Sequence, residues 1–358
     1  MSQSITADTG AQTLWFTRCP VPTATGLAWR LGWLEEEFSA DGIRVATLQD
    51  APPELARHHY DHALGNLIRE GGALLALAAR AQGASTKVIG LTWIDEWQVI
   101  LARPDSGIQS PADLKGKRLA LPAFVTRAIA AHARGSSIAR GMSLQGYKGA
   151  LAAAGLTLED ARFVEVASGD DGRNSGRRGG HNLWQGLEAL RENRVDAVYV
   201  KGARAVTAAK AAGAVVAIDL DALPEKRFRV NNGTPRPITV HTDFIEHYFD
   251  LLVRFLAQTL KAADWAATHL AEVRAALRAE TGADAEGVAE AYRQDFHRAL
   301  HPDLSRERRA LLAVQKNFMW LHGFLDQDFD LESWFDERPL AMARALLEER
   351  DRGRKQYA

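Results

Sequence analysis

A chain of 358 residues with 46% hydrophobic and 25% charged residues has globular composition and is long enough for two lobes. Its 44 basic and 45 acidic residues leave a formal net charge of -1. No global field therefore draws it to nucleic acid or an anionic membrane surface, and any preference for an anion must come from a local site.

From the N-terminus, Thr13–Arg18 reads as a strand that ends at Cys19. Pro20 and Pro22 set an extended turn, and Thr23 can cap a helix running through GLAWRLGWLEEEFSA until Gly42 stops it. IRVATL follows as a second strand. From Glu54 to Ala81 the pattern is less regular, with Arg69-Glu70-Gly71-Gly72 opening the helix ALLALAARAQ. VIGLTW and WQVILARP are the next strands, and the loop-forming stretch PDSGIQSP at Pro104–Pro111 marks a crossing between lobes.

In the second lobe, DLKGKRLALP gives an Asp-capped turn and a strand, and helical segments follow between Thr126 and Ala154. The strand RFVEVA, the helix LWQGLEALREN and the strands DAVYVKG and VVAIDL continue the alternation, with a loop at Gly169–Asn182 between the first two. Such alternation predicts an α/β fold on a mostly parallel sheet. From Thr242 onward the chain is nearly all helical. The expected division is residues 1–105 as lobe 1, with 236–358 returning to it as a strand and C-terminal helices, and 106–235 as lobe 2.

One cysteine permits no internal disulfide and suits a reducing compartment. The N-terminal stretch lacks the basic and apolar regions of a secretory signal, and Cys19 follows Thr17-Arg18 rather than a lipoprotein leader. No apolar run approaches the ~20 residues that span a bilayer. A cytoplasmic protein with no membrane insertion, compatible with a monomer, is the expectation.

Several stretches resemble the sulfonate/nitrate/taurine substrate-binding protein superfamily: GLAWRLGWLEEEFSADGIRV, DLKGKRLAL, GLTLEDARFVEV, LEALRENRVDAVYV and the C-terminal FDLLVRFLAQTLKAADWAATHLAEV. The resemblance implies the type 2 periplasmic-binding-protein architecture, two lobes with a cleft between them and a helical C-terminal segment. A narrower resemblance rests on Arg18-Cys19-Pro20-Val21-Pro22, then His59, then Arg69-Glu70-Gly71-Gly72. This set is similar to the aromatic sulfinate desulfinases, which cleave hydroxybiphenyl sulfinate to hydroxybiphenyl and sulfite. It implies that Cys19 is the catalytic thiol, His59 the active-site histidine, and Arg69 and Gly72 the arginine and second glycine of the Arg-x-Gly-Gly motif. The sequence departs from that family at Glu70, where the family has an aromatic residue, and around His59 (His58-His59-Tyr60-Asp61-His62).

These residue types suit a compact oxyanion. Arg69 offers a planar two-pronged donor set that lysine lacks. Gly71 and Gly72 would let backbone and helix N–H groups approach the oxygens. Cys19 at a strand end lies where open α/β sheets bind ligands, and cationic neighbours suit a thiol that carries negative charge during a reaction. Either Cys19 attacks the sulfur, or it protonates the departing carbon while His59 restores its proton. The second is electrostatically easier against an anionic sulfinate.

Trp93 and Trp97 are candidates for stacking on an aromatic ligand, and Thr126 with Arg127 for contact from the second lobe. His58 and His62 share i, i+4 spacing, as do His297 and His301, but neither pair has an evident third ligand, so no metal and no cofactor are expected. The expectation is cofactor-free C–S cleavage of a small aromatic sulfinate; the rival is a binding protein for a sulfonate or similar organic anion. The histidine- and cysteine-rich pattern of the pyrimidine-precursor enzymes of thiamin synthesis, which share the superfamily fold, is absent.

Overall fold

The computed structural model describes residues 13–19, 21–126, 133–167, 186–293 and 295–356. The segment Gly169–Asn182 and Arg127 lie outside the described residues.

The chain begins with β1 (Thr13–Phe16). Thr23 caps α1 (Ala24–Arg30), its Oγ1 accepting from the Gly26 N–H at 3.1 Å. The sequence suggests one continuous helix here, but Gly32 adopts φ +78° and separates α2 (Trp33–Ser39) from α1. A left-handed residue cannot continue the right-handed ladder, so the break is local and sharp. β2 (Arg44–Thr47), α3 (Pro53–Ala56) and α4 (His58–Asp61) follow.

A strand that the sequence pattern hid comes next. β3 (Leu67–Glu70) is buried at all four positions, and Arg69 and Glu70 are its last two residues rather than the opening of a helix. The helix α5 (Ala73–Ala81) begins only after Gly72. Two adjacent charged residues at the end of so short a strand read as surface; here β3 pairs with β1 on one side and β10 on the other, and all four of its residues are buried. β4 (Thr86–Thr92) then leads across to β5 (Gln98–Ala102).

The second lobe contains β6 (Arg118–Pro122), α6 (Ile138–Ala153), β7 (Arg162–Val166), α7 (Gly186–Arg191), β8 (Ala197–Lys201), α8 (Ala203–Ala211) and β9 (Val215–Asp219). β10 (Arg236–His241) returns to the first lobe. Helices α9 (Thr242–His247), α10 (Phe249–Ala266), α11 (Leu270–Thr281), α12 (Ala285–Ala291), α13 (Arg306–Leu321) and α14 (Arg338–Gln356) complete the chain.

There are two five-stranded sheets, ordered β2-β1-β3-β10-β4 and β7-β6-β8-β5-β9. Both are mixed rather than mostly parallel. β1 runs parallel to β2 and β3, and β6 to β7 and β8, whereas β10 lies antiparallel between β3 and β4, and β5 antiparallel between β8 and β9. Each sheet therefore receives one strand that has crossed from the other lobe. Because β5 pairs in the second sheet, the first crossing falls at Trp93–Trp97, before β5, and not at residue 105. The return strand does begin at Arg236.

One apolar core wraps β1, β3 and α10 and reaches β8; a second joins α5, β4 and β5 to α6. Both include residues of the two sheets, so the lobes pack directly against each other along the crossing strands.

Candidate active site

Cys19 sits between the end of β1 and the capped start of α1 and is 8% exposed. Thr17 Oγ1 donates to the Glu70 carbonyl at 2.8 Å, and Cys19 Sγ donates to the same oxygen at 3.3 Å. The parallel β1–β3 pairing, Phe16 opposite Ile68, places the two strand ends side by side and sets this contact. On its outer side Cys19 borders a shallow groove whose lining includes Arg18, Arg30 and Glu280. Glu280, from α11, pairs with Arg18 at 2.9 Å and with Arg30 at 3.3 Å across that groove.

Arg69 is 1% exposed. Its Nε donates to the His59 carbonyl at 3.1 Å, and Nη1 and Nη2 donate to the Gly72 carbonyl at 3.4 and 3.3 Å. Burial lowers its pKa to about 10, against the opposing influence of Cys19. The guanidinium folds back over its own strand end, where a Cβ on Gly71 would come within 2.7 Å of its central carbon. Gly71 is thus fitted to Arg69. Gly72 is fitted to Asn232, whose side-chain amide occupies the space a Cβ would need. Asn232 also caps α5: its carbonyl accepts from Ala73 N–H at 2.6 Å and its Oδ1 from Leu74 N–H at 2.9 Å. The helix N–H groups expected to meet ligand oxygens are taken by Asn232.

His59 lies on α4, with its ring edge-on to Tyr60 at 5.3 Å, and its backbone is tied to Arg69. Of its neighbours, His58 pairs with Asp61 at 2.8 Å. His62 is buried in a left-handed conformation with no hydrogen-bond partner on either ring nitrogen. Burial, Arg69 and His59 hold its pKa well below the ordinary range, so its ring is neutral. The structure thus joins Cys19, His59, Arg69, Gly71 and Gly72 in one backbone-linked network around the end of β3.

Glu70 points to the opposite face of β3 from Arg69. It is 2% exposed, and its Oε1 accepts from Thr92 Oγ1 at 3.2 Å. Burial raises its pKa, with Arg236 acting in the other direction. Arg236 stands opposite Thr92 on β10, and Ile238, two residues along, opposite Glu70. Arg236 is 5% exposed and makes no hydrogen bond or ion pair among the described residues. Burial acts to lower its pKa, but the electrostatic influence of nearby Cys19, Glu96 and Glu70 outweighs burial and holds it above the usual value. Lys201, at the end of β8 in the other lobe, is 3% exposed and faces Glu96 at 3.7 Å. Glu96 also accepts from Tyr292 Oη at 2.9 Å.

The remaining candidates lie elsewhere. Trp93 is buried against Val230 and Leu311, its Nε1–H donates to Asp95 at 3.1 Å, and Arg229 lies 5.8 Å from its ring centroid. It packs the crossing segment, and none of its recorded contacts is with Cys19 or Arg69. Trp97 is a core residue, 3% exposed. Thr126 is exposed. Among the described residues no group of three or more His, Cys, Asp or Glu side chains is placed to hold a metal ion.

Residues 31–136 match the model of the NMT1/THI5-like family. The 2'-hydroxybiphenyl-2-sulfinate desulfinases of Rhodococcus erythropolis and Rhodococcus qingshengii are each 25% identical to the chain over 351 residues, covering 90% of it and 91% of their own length. A crystal structure of a cysteine-to-serine mutant of DszB in complex with biphenyl-2-sulfinic acid superposes with TM-score 0.73 at 22% identity, over 93% of this chain and 99% of that one. The periplasmic aliphatic sulphonate-binding protein SsuA of Escherichia coli superposes with TM-score 0.65 at 18% identity, over 91% and 92%. The fold is periplasmic-binding-protein-like.

Arg236 opens the crossing strand β10, Glu96 and Asn232 lie in the two crossing connections, and Lys201 ends β8. Reading the sequence did not select them. Lys201 ends the apolar run Ala197–Val200, and a lysine after four buried residues was the available signal.

Proposed function

We propose that this protein is a desulfinase-like enzyme that cleaves the C–S bond of a small aromatic sulfinate and releases sulfite, with Cys19 as the reacting thiol. The observation that carries the reading is the position of Cys19. It is a buried free thiol at a strand end, held by the Glu70 carbonyl and within electrostatic reach of two buried guanidinium groups, Arg69 and Arg236. A receptor for an anion needs the cations but has no use for the thiol. Similarity to a sulfinate desulfinase along 90% of the chain supports the same reading.

In the proton-donor route, Cys19 gives its proton to the ring carbon that bears sulfur. The C–S bond pair stays with that carbon, and sulfur leaves as SO2. Water adds to SO2 to give hydrogensulfite, and the proton released by this addition returns to Cys19 with His59 as the relay. The buried guanidinium groups offset the negative charge left on sulfur when the proton departs. Atoms balance as sulfinate plus water to arene plus hydrogensulfite, with no redox partner.

The test is sulfite release from biphenyl-2-sulfinate and smaller aryl sulfinates by the wild type and by Cys19→Ser. Turnover by the wild type and loss of at least ~10³-fold in the variant are expected, the scale on which removing a reacting group acts. Equal release by both, or none from any sulfinate, sinks the proposal. Binding of the sulfinate that survives Cys19→Ala with no turnover by the wild type is the outcome a sulfonate-binding protein would give.

A further inference from the structure

Arg236 is a buried cation whose side chain has no recorded bonding partner among the described residues. The residue is 5% exposed, its Nε is sealed from solvent with nothing to bond, and no side-chain hydrogen bond or ion pair of its guanidinium is recorded among the described residues. Glu96 and Glu70 favour its charge without bonding to it, so its N–H donors are left for a ligand to complete. The donors of Arg69, by contrast, are directed to the carbonyls of His59 and Gly72.

A second cation converges on the same place from the other lobe. A Cβ built on Gly233 would lie 2.7 Å from Arg236 Nη2 and 3.1 Å from Lys201 Nζ. Two buried positive groups, one from β10 of the first sheet and one from β8 of the second, therefore meet at the unsubstituted α-carbon of Gly233. Lys201 has one recorded ion pair, with Glu96 at 3.7 Å, and that carboxylate is shared with Tyr292; Asp221 and Asp95 act on it only at longer range. Glu70 does not neutralise Arg236 by direct contact; its carboxylate is hydrogen-bonded to the Thr92 and Thr25 hydroxyls.

We propose that Arg236, backed by Lys201 across the lobe junction, is the charge partner of the ligand's oxyanion, and that Arg69 is a positioning residue that holds the His59 and Gly72 segments. The sulfinate oxygens sit against the Arg236 guanidinium, which directs the sulfur and its ring carbon toward Cys19. This orientation rests on the desulfinase reading; the anion site itself does not. Because its two cations come from different lobes, filling it also ties the lobes together.

The experiment measures, by calorimetry, binding of sodium sulfite and of biphenyl-2-sulfinate to the wild type, Arg236→Gln, Arg236→Lys and Gly233→Ala, together with the ligand-free Tm of each. Sulfite release is assayed separately. Arg236→Gln is expected to weaken binding of both anions roughly ten- to a hundredfold, the range for a lost charge-assisted hydrogen bond. Arg236→Lys should recover part of that loss, a single ammonium replacing a two-pronged donor. Gly233→Ala should weaken binding by filling the point where the cations converge. The ligand-free Tm shows that each variant folds, and since Glu96 and Glu70 lie near enough to favour the charge in the ligand-free protein, the affinities and not the Tm decide the assignment. Unchanged anion affinity in Arg236→Gln overturns the assignment, as does a wild type that binds neither anion. Anion binding that follows these variants, with no sulfite released from any sulfinate, defeats the desulfinase reading and leaves the assignment standing.

Discussion

Arg69 and Glu70 are adjacent in sequence and serve different sides of the molecule. A strand sends neighbouring side chains to opposite faces, so Arg69 reaches back to His59 and Gly72 while Glu70 enters the side shared with Thr92 and Arg236. The Cys19–His59–Arg69–Gly72 set was legible because a short motif carries it. The environment of Glu70 was not, because it depends on β10, which arrives from the far end of the chain. Burial raises the Glu70 pKa above its ordinary 4.5. Between 4.5 and the raised value the folded protein holds a proton that the unfolded chain has lost, so Glu70 contributes less to stability as pH rises through that window. Glu70→Gln, which keeps an acceptor for Thr92, should therefore gain in Tm relative to the wild type as pH is raised from 4.5 toward 7. Thermal melts across that range check it, and a gap that stays constant or shrinks contradicts the burial argument.

At the scale of elements, helices were more legible than strands. Thr23, Gly42 and the C-terminal periodicity are local signals, and α1 and the helices from α9 onward follow them. β3 carries no local signal, since two of its four residues are charged and its burial comes from neighbours on both sides. The helical C-terminal segment is fastened to the first lobe at Glu37 of α2. This carboxylate is 9% exposed and receives hydrogen bonds from Arg254 at 2.7 Å, from Arg350 at 2.8 Å and from Gln258. Burial pushes its pKa up, but the hydrogen bonds from Arg350, Arg254 and Gln258 outweigh this and bring it from 4.5 to about 2. A depressed carboxylate stabilises the fold above pH 4.5 and loses that contribution as pH falls toward 2, a swing of roughly 3 kcal/mol. Glu37→Ala should cost about 3 kcal/mol at pH 7, with the buried partners left uncompensated. Urea unfolding at pH 7 and pH 3 checks it: the difference between variant and wild type should narrow at the lower pH.

For the whole molecule, alternation of strands and helices was enough to foresee two α/β lobes, and the C-terminal return to the first lobe was also legible. The exchange of β5 and β10 between sheets was not, because a strand's periodicity does not say which sheet it joins. That exchange leaves two crossing segments side by side, and their contacts decide how firmly the lobes are held. Asp95 of the first crossing pairs with Arg229 of the second at 3.3 Å, and Asp221 Oδ2 accepts from Gln98 N–H at 3.1 Å where the chain enters β5. Burial, with nearby Asp95, raises the Asp221 pKa from 3.8 to about 7. The folded state therefore binds more protons than the unfolded chain between those values, and stability falls as pH climbs from 3.8 to about 7. Asp221→Asn keeps an oxygen for the Gln98 N–H and removes the titration. Its stability relative to the wild type should rise across that interval and level off above pH 7, by up to about 4 kcal/mol at roughly 1.4 kcal/mol per pKa unit. If the crossing is what couples the lobes, the gain should appear in the cooperative unfolding of both together, read from coincident melts of far-UV signal and tryptophan fluorescence. A gain confined to one probe would show that the lobes unfold separately and that Asp221 stabilises only its own.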